Sequence, residues 1–447
     1  MTTRLRSACV LSVLVQLAAC AGYRPLPLPD PESPRFLPEL SVSAHAHPRL
    51  AAAPVDLTKP LSEWDLARIA LAISPDLVAQ RSQVEVNQAE LFASGLLPDP
   101  QLSASLGDPT GAGLVTALGS TLTMELSALW TRAPRHAAAR AGEAMARHDL
   151  GWREWLVINQ VRTLVRRTGA LERQLAVANT ATAMTRARLT TDRQNLEQGD
   201  ARIDDASLSQ IAFLDAQDRA LALERTLQAT RLQLNALVGL SPQVELQLAP
   251  GAPTSAQPAC ASPSTLASRA LAFRLDLIAL RDGYEMQERR VQLATRTALP
   301  LPQLSLGRDR DSAAVWTTSA AATLGLPLWN RGRGDIAVAH ASRAQLAAEY
   351  LARVHQMQSD IATLCVDLES MARQRGALAK ELPALRDAAT RLAAAGRDGE
   401  VSRVSLEVVR TALLDKELAL LSIDQARSEA EVTLDTAIGD FIRKVRR

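Results

Sequence analysis

The chain carries an internal repeat, and this duplication constrains its fold more than any other feature of its 447 residues. Residues 97–103, Leu-Pro-Asp-Pro-Gln-Leu-Ser, match residues 299–305, Leu-Pro-Leu-Pro-Gln-Leu-Ser, at six of seven positions. Further landmarks recur in the same order about 200 residues apart: Asp76-Leu77 and Asp276-Leu277, Trp130 and Trp329, Gly199 and Gly396, Gly239 and Gly439. Because chance matches do not keep a common order, the sequence predicts two tandem copies of one structural unit.

Helical patterns flank the short repeated motif. Apolar residues at helical spacing cover residues 61–97, with Ser62 as the candidate N-cap and Pro98 as the stop signal. A second helical region covers residues 134–239, with one break near Gly199. Each of these regions ends at a residue that disfavours further helix, so the pattern predicts long helices rather than a mixed globular layer.

Two predicted strands lie between the helices of each copy. Residues 101–106 and 121–127 alternate between polar and apolar side chains on either side of a turn rich in Gly and Pro. The strands of the first copy therefore fall within about 100–128, and those of the second within about 302–328. The predicted fold is mainly α with a small β part, built from two tandem helix–strand–strand–helix repeats.

The N-terminus has the pattern of an exported protein. Arg4 and Arg6 precede a short apolar run, and Leu17-Ala18-Ala19-Cys20 ends it. This ending resembles the bacterial lipobox, which implies cleavage before Cys20 and acylation of Cys20, for example by palmitate. The alternative is an ordinary secretory signal with an incidental cysteine.

The predicted organisation follows from these patterns together with a Pro-rich stretch after Cys20, which cannot form one helix. Its parts are a signal peptide at 1–19, a lipid-anchored tether at 20–60, a first repeat at 61–242, a linker at 243–264, a second repeat at 265–442 and a basic tail at 443–447.

The number of strands predicts an oligomer if the sheet enters a membrane. Beyond the signal, no segment has about 18 consecutive apolar residues, so no transmembrane helix is predicted. Four strands cannot close on themselves, whereas three chains would supply twelve. In the strand 121–127, Leu122, Met124 and Leu126 share one face, as expected for contact with lipid. A strand of a soluble sandwich has the same alternation.

The long helices predict an elongated shape. The region from Pro134 to Gln198 would extend on the order of 100 Å as one helix, too long for a globule, and needs partners along its length. The turns farthest from the strands are then Gln198-Gly199-Asp200 and Ala395-Gly396-Arg397.

Several motifs in order resemble the TolC family of outer-membrane efflux proteins. The resemblance covers about residues 61–442 and rests on four segments: Leu61-Ser62-Glu63-Trp64-Asp65-Leu66-Ala67-Arg68-Ile69-Ala70, Ser74-Pro75-Asp76-Leu77, Leu97-Pro98-Asp99-Pro100, and Leu326-Pro327-Leu328-Trp329-Asn330-Arg331-Gly332-Arg333-Gly334.

The resemblance implies a homotrimer with a twelve-stranded transmembrane β-barrel on a long periplasmic α-helical barrel. It also implies that the two tips close the channel and dock on a periplasmic adaptor protein coupled to an inner-membrane pump. An acylated cysteine before a Pro-rich tether resembles the lipoprotein branch that serves pumps of the resistance–nodulation–division type, whose cargoes include metal cations and toxic organic compounds.

Neither the charge distribution nor the motifs predict an enzyme or a nucleic-acid binder. The 50 basic and 48 acidic residues are interspersed and nearly cancel. No Ser/His/Asp or Cys/His arrangement and no nucleophile-elbow motif is present. His45-Ala46-His47 lacks a third ligand, and Arg331-Gly332-Arg333-Gly334-Asp335 lacks the ending of a phosphate loop. We therefore expect no catalytic residue, cofactor or bound metal.

Acidic residues next to the tips have two interpretations. Asp204, Asp205, Asp398 and Glu400 are suited to the first turns of helices, where the macrodipole stabilises them. Alternatively, three copies of such acids would form a negative ring at a pore mouth.

Two cysteines remain in the body of the chain. An oxidising periplasm permits Cys260 and Cys365 to pair, but two distant cysteines do not define a disulfide framework, and the sequence does not decide whether they pair. We therefore expect them to be incidental.

The sequence thus predicts a passive trimeric exit duct in the outer membrane, anchored by lipid and with a large periplasmic part. The alternative is a soluble periplasmic coiled-coil scaffold with a small sheet.

Overall fold

A computed structural model describes residues 24–28, 59–200, 202–249, 260, 262–397 and 403–439. The predicted signal peptide, Cys20, most of the tether and the basic tail lie outside these residues. So do Asp398 and Glu400, two of the four acids predicted near the tips.

The described part of the chain is mainly helical, and the same order of elements occurs twice. No helix in it has an 18-residue stretch apolar enough to cross a bilayer. The first set is α1 (Glu63–Ile73), α2 (Pro75–Ser94), β1 (Gln101–Gly107), β2 (Ala117–Glu125), α3 (Leu126–Glu197) and α4 (Ile203–Val238). The second set is α5 (Pro263–Phe273), α6 (Leu275–Thr297), β3 (Gln303–Arg310), β4 (Trp316–Thr323), α7 (Arg333–Arg397) and α8 (Arg403–Ile438).

The first predicted helix is two helices in the structure. Ser62 caps α1 as predicted, in a capping box in which its hydroxyl accepts from the Asp65 backbone N–H and the Asp65 carboxylate accepts from the Ser62 backbone N–H. The prediction of one continuous helix is wrong because Ser74 is extended, with φ −54° and ψ 124°, before Pro75. A residue before proline avoids the helical region, and Pro75 then starts α2 at a position that needs no N–H.

The end of each set packs on the break between its first two helices. Gly239 follows α4 with φ +90°, and a Cβ there would lie 2.9 Å from the Ile73 carbonyl oxygen. Gly439 follows α8 with φ +69°, and a Cβ there would lie 2.5 Å from the Arg274 Cγ. Glycine is needed at both positions because of the left-handed backbone and because of the close approach.

Each set has its own apolar core, at corresponding positions about 200 residues apart. Trp155, fully buried, lies at the centre of the first core, where α1 and α2 pack on α3. The second core lies where α5 and α6 pack on α7 and α8. Corresponding buried pairs on α3 and α7 are Val157 and Met357, Val161 and Ile361, and Val165 and Cys365.

Cys260 and Cys365 form a disulfide, with their Cα atoms 5.5 Å apart. The expectation that these cysteines are incidental is therefore wrong. Cys365 is buried in the second core at the position that Val165 fills in the first. The bond joins the segment before α5 to the middle of α7, a contact that no local sequence pattern signals.

The four strands form one antiparallel sheet in the order β1-β2-β3-β4. The central pairing, β2 with β3, joins the two sets, with Thr121 opposite Gly307 and Thr123 opposite Ser305. Strand β2 is offset from its predicted range, because Ser127 is already helical.

Helix α3 begins at Leu126 and continues through Pro134, where the sequence predicted its start. Proline removes the helical hydrogen bond to the carbonyl four residues earlier, which belongs to Trp130. The Arg296 guanidinium of α6 donates to that carbonyl at 3.5 Å, and its carbon lies 5.3 Å from the centroid of the Trp130 ring. This contact from the other set lets the helix pass through a residue that normally starts one.

Candidate functional site

The sheet separates polar from apolar side chains over most of its area, with Ser120 on the apolar face and Ala321 on the polar face as exceptions. One face carries Ser, Thr, Gly, Gln and acidic residues from all four strands, including Thr121, Thr123 and Ser305. The opposite face is apolar because the register aligns leucines across strands. Its members are Leu102, Ala104, Leu106, Leu118, Leu122, Met124, Leu304, Leu306, Ala320 and Ala322.

Burial runs opposite to that of a soluble sheet. Leu102, Leu106 and Leu306 are 73%, 75% and 62% exposed. On the polar face, Thr121 and Ser305 are half-buried and Gly307 is buried. No described helix covers the leucines, although water disfavours such a surface by roughly 25 cal/mol per Å². An apolar face turned outward and a polar face turned inward are the arrangement of a sheet in contact with lipid.

The sheet has two open edges in the described chain. Strand β1 pairs only with β2, and β4 only with β3. Unpaired edge N–H and C=O groups cost several kcal/mol each in an apolar medium. Both edges of the described sheet are therefore open to pairing with further strands.

Aromatic and basic residues mark the corner between the sheet and the helices. Trp130 and Trp329 are 47% and 84% exposed and lie where the strands lead into α3 and α7. Arg132 donates from its Nε to the Gly95 carbonyl at 2.9 Å and so links the end of α2 to α3. Such belts are typical of the interface between hydrocarbon and water.

Two helical hairpins extend from this corner. Helix α3, with 72 residues, is about 108 Å long, and α7, with 65, is about 98 Å. Helix α4 returns along α3, and α8 along α7. Small side chains of α3, α4 and α8, among them Ala178, Ala212 and Ala216, line a groove between the hairpins near their far ends.

The first tip has the predicted turn. Gly199 has φ +81°, and the Asp200 N–H donates to the Asn195 carbonyl at 2.8 Å, which closes the end of α3. Gln198, Gly199 and Asp200 are all exposed. The second tip differs, because Ala395, Gly396 and Arg397 belong to the last turn of α7. The prediction that Gly396 interrupts the helix is wrong, because α7 continues to Arg397. Residues 398–402 lie outside the described part.

The acids beside the first tip lie in the first turn of α4, where the helix dipole favours them. Asp204 is exposed and its carboxylate lies 3.7 Å from the Arg202 guanidinium. Asp205 is half-buried and lines an opening toward α8 together with Glu407.

A partly buried ionic cluster joins the two sets of elements. Both Arg162 and Arg166, on α3, contact Glu63 of α1, at 3.2 and 2.6 Å. Arg162 also reaches Asp435 of α8 at 3.2 Å, and its side chain is only 5% exposed. Arg167 binds Glu429 of α8 through two hydrogen bonds of 2.8 and 2.6 Å. Such two-pronged contacts give geometric specificity as well as attraction.

The pKa values of two carboxyl groups in the cluster, Glu63 and Glu431, are shifted in opposite directions. Burial raises the pKa of Glu63, but hydrogen bonds and charge attraction from Arg166 and Arg162 outweigh it, so the pKa lies below its ordinary value. Burial also raises the pKa of Glu431, and there the attraction of Arg427 and Arg166 does not compensate, so its pKa lies above the ordinary value. Sequence patterns missed this cluster, since its members lie up to 372 residues apart, from Glu63 to Asp435.

Among the described residues, no group of three or more His, Cys, Asp or Glu side chains is placed to hold a metal ion. His148 contacts Asp282 at 2.6 Å, and His136 contacts Ser94 at 3.2 Å, both on partly exposed helix surfaces.

Comparisons with solved structures show which fold this is. The chain is similar to CusC, described for its folding and transmembrane channel formation, with a TM-score of 0.70 and 16% identity over 84% of this chain and 92% of that one. It is similar to the outer-membrane channel OprN, with a TM-score of 0.69 and 17% identity over 94% and 99% of the two chains. It is also similar to the CmeC outer membrane channel of Campylobacter jejuni, at 0.70 and 16% over 84% and 85%.

No protein-family model and no curated protein sequence matches this chain significantly. These three structures are described as channels, two of them as outer-membrane channels. The chain therefore shares the subunit fold of these channels, mainly helical with a small antiparallel sheet as the sequence predicted, at an identity that by itself establishes the fold and not the function.

Proposed function

We propose that three copies of this chain form the outer-membrane exit duct of a tripartite efflux system. The observation that carries the proposal is the four-stranded sheet with an exposed apolar face and two open edges, at one end of helices about 100 Å long. Its likeness to solved outer-membrane channels supports the same reading.

Closure into a twelve-stranded barrel follows from the alternation of strand directions. β1 and β3 run one way, β2 and β4 the other, so β4 of one copy can pair antiparallel with β1 of the next. Three copies then leave no open edge. The resulting lumen would be lined by the Ser- and Thr-rich face, which suits a water-filled passage.

The internal repeat predicts the register of that joint. Gln101 pairs with Thr123 and Gln303 with Thr323, so β3 corresponds to β1 and β4 to β2. The observed pair Thr123 and Ser305 then predicts Thr323 opposite Ser103 of the next copy. Apolar positions also meet under this register, with Ala322 opposite Ala104.

The helices support the same assembly. Helix α4 bears an unpartnered apolar stripe that a neighbouring copy would cover in a tube of twelve helices. Its exposed members are Ile203, Leu208, Ile211, Leu214, Leu221 and Leu232.

The remaining assignments complete the duct. The tips Gln198-Gly199-Asp200 and Ala395-Gly396-Arg397 dock on a periplasmic adaptor, through which an inner-membrane pump supplies cargo such as metal cations or small organic compounds. Acylated Cys20 and the tether add a lipid anchor at the outer membrane. The acids Asp204, Asp205, Asp398 and Glu400 lie next to the entrance as helix-start residues or as a cation-attracting ring. The chain itself performs no chemical step and needs no cofactor.

A pair of introduced cysteines tests the joint between copies. Ser103→Cys with Thr323→Cys, in a background without Cys260 and Cys365, is expected to give covalent trimers in membranes under oxidising conditions. The matched control, Leu102→Cys with Thr323→Cys, places the thiols on opposite faces and is expected to remain monomeric on denaturing gels. Equal cross-linking of both variants, or of neither, contradicts the predicted register.

The alternative is a soluble periplasmic scaffold. A variant lacking residues 1–20 that is directed to the periplasm by an unrelated signal separates the two. The duct requires detergent for extraction and gives stepwise conductance in planar bilayers. A monomer that stays in solution without detergent and gives no conductance would establish the scaffold.

A further inference from the structure

Two arginines interrupt the apolar face at the turn end of β3. Arg308 and Arg310 alternate in the same register as Leu304 and Leu306. Arg310 forms the last pair before the turn, opposite Trp316, and Arg308 the third from the turn, opposite Thr318. The rise of a strand, about 3.3 Å per residue, places them about 7 Å apart. The lipid-facing surface is thus basic only in its outermost rows.

Neither guanidinium has an ion-pair partner within the described residues. Asp309 belongs to the opposite face, where its carboxylate lies next to Gly119. Asp311 accepts from the backbone N–H groups of Ala313 and Val315, each at 2.9 Å, and so is engaged in the turn. No described residue therefore neutralises this positive charge.

The Trp316 ring stacks against the Arg308 guanidinium. The Arg308 guanidinium carbon lies 5.2 Å from the centroid of the Trp316 ring, and the indole is 54% exposed. Stacking uses the face of the guanidinium and leaves its in-plane N–H donors free. The Arg310 Nε is buried without a hydrogen-bond partner in the structure. An unpaired, desolvated N–H donor of Arg310 beside the free in-plane N–H donors of Arg308 (the guanidinium fork) is suited to binding an anion.

The first repeat shows that the sheet does not need these residues. The positions that correspond to Arg308, Arg310 and Trp316 are occupied by Leu106, Asp108 and Thr116. Pairing in the first repeat ends at Gly107 opposite Ala117, one pair before the position of Arg310 and Trp316, and it needs no basic or aromatic side chain. The seven pairs that the two hairpins share therefore do not depend on Arg308, and the basic and aromatic side chains occur once per chain.

We propose that Arg308, Arg310 and Trp316 bind the phosphate of a lipid headgroup in the leaflet around the turn end of the sheet. The site rests on the proposed function, because it requires that this face contacts a bilayer. A tryptophan at headgroup depth and a guanidinium fork on the phosphate fit such a lipid better than a free anion, since the surrounding surface is apolar.

Nanodiscs test the site with the full chain. The trimer is inserted into phosphatidylcholine doped either with diphosphoryl lipid A or with the same lipid after removal of its phosphates, and lipid retention is followed by native mass spectrometry. A third sample contains phosphatidylcholine and inorganic phosphate. R308Q/R310Q is compared with R331Q/R333Q, which removes the same charge at the same spacing from the other end of the sheet.

The unaltered protein is expected to retain the phosphorylated lipid, and R308Q/R310Q to retain it at least about tenfold less tightly. R331Q/R333Q is expected to match the unaltered protein. Equal losses in both variants, equal retention of the dephosphorylated lipid, or binding of inorganic phosphate alone would each overturn the site. R308K/R310K, which keeps the charge but loses the fork, serves the same comparison if the glutamine variant does not insert.

Conductance separates this inference from the proposed function. A chain that conducts in planar bilayers but shows no dependence on headgroup phosphate overturns only the lipid site. A chain that never inserts overturns the duct.

Discussion

Glu63 of α1 binds Arg162 and Arg166, two arginines of α3 that also reach α8 of the other repeat. Its carboxylate accepts from Arg166 at 2.6 and 3.0 Å and from Arg162 at 3.2 Å, and its side chain is 18% exposed. A removed carboxylate leaves two partly buried guanidinium groups short of a partner, which is costlier than loss of a surface pair.

Glu63→Gln is expected to destabilise the protein by about 1–3 kcal/mol near neutral pH. Because the folded-state pKa of Glu63 is lowered, its contribution is complete above the unfolded-state pKa and is lost as pH falls through the folded value. The difference from the unaltered protein is therefore expected to shrink below about pH 4. Thermal unfolding in detergent, followed by circular dichroism at several pH values, measures it.

Glu431→Gln is the matched control in the same cluster. The pKa of Glu431 is raised by burial and by Asp435, so its contribution is present at low pH and declines as pH rises. The variant is expected to be as stable as the unaltered protein at pH 7, or more so. Equal losses for both glutamine variants would contradict the opposite pKa directions.

At the scale of elements, the segment before the first helix of each repeat is held by a different kind of bond: backbone hydrogen bonds in the first repeat and the disulfide in the second. Before α1, Leu61 exchanges backbone hydrogen bonds of 2.8 and 2.9 Å with Gln247 and Ala249 in the segment after α4. Before α5, Cys260 is bound to Cys365 on α7. Each device fixes the chain at the entry to a repeat.

The variant C260A/C365V removes the bond and fills the core position as Val165 does. The closed loop spans 105 residues, for which the loss of denatured-state constraint is about 4–5 kcal/mol. We expect a lower unfolding temperature than for the oxidised protein. A reductant is expected to lower the unfolding temperature of the unaltered protein and leave that of the variant unchanged. An equal response of both would show that the bond does not stabilise the fold.

The elements that the sequence predicted well are those with local signals. Alternation around Leu102 and Leu122, the Ser62 cap and the turn at Gly199 depend on neighbours within a few residues. The start of α3 was predicted at Pro134, which is eight residues too late. Arg296, 162 residues away, donates to the Trp130 carbonyl that the proline leaves without a helical hydrogen bond, and no local pattern signals that contact. Repeat symmetry also misled at Gly396, since a glycine in the last turn of a helix need not end it.

At the scale of the molecule, the strand count and the face pattern were readable from the sequence, whereas the ionic cluster and the disulfide were not. Pairings between Arg167 and Glu429 or between Cys260 and Cys365 leave no periodic trace in a single chain. The repeat offset would have helped, because it places Cys365 on the buried face that Val165 occupies in the other copy.

The two repeats hold together through contacts that do not depend on the linker between them. The β2–β3 pairing crosses from one repeat to the other, as do the packing of α3 on α6 and the contacts of Arg162, Arg166 and Arg167 with α8. The disulfide lies wholly on the second-repeat side of residue 259 and does not link the halves.

A protease site introduced between residues 251 and 258 is therefore expected to be cleavable without separation of the halves. After cleavage in mild detergent, both fragments should co-elute, with or without reductant, and separate only where the helices unfold. R166Q/R167Q removes two of the connecting arginines at about 1–3 kcal/mol each. The double variant is expected to lower the denaturant concentration at which the cleaved halves dissociate. It is expected to lower the unfolding midpoint of the uncut chain by less, because the intact peptide bond keeps the effective concentration of the halves high. Fragments that separate at once in mild detergent would show that the covalent linker, and not the packing between repeats, holds the molecule together.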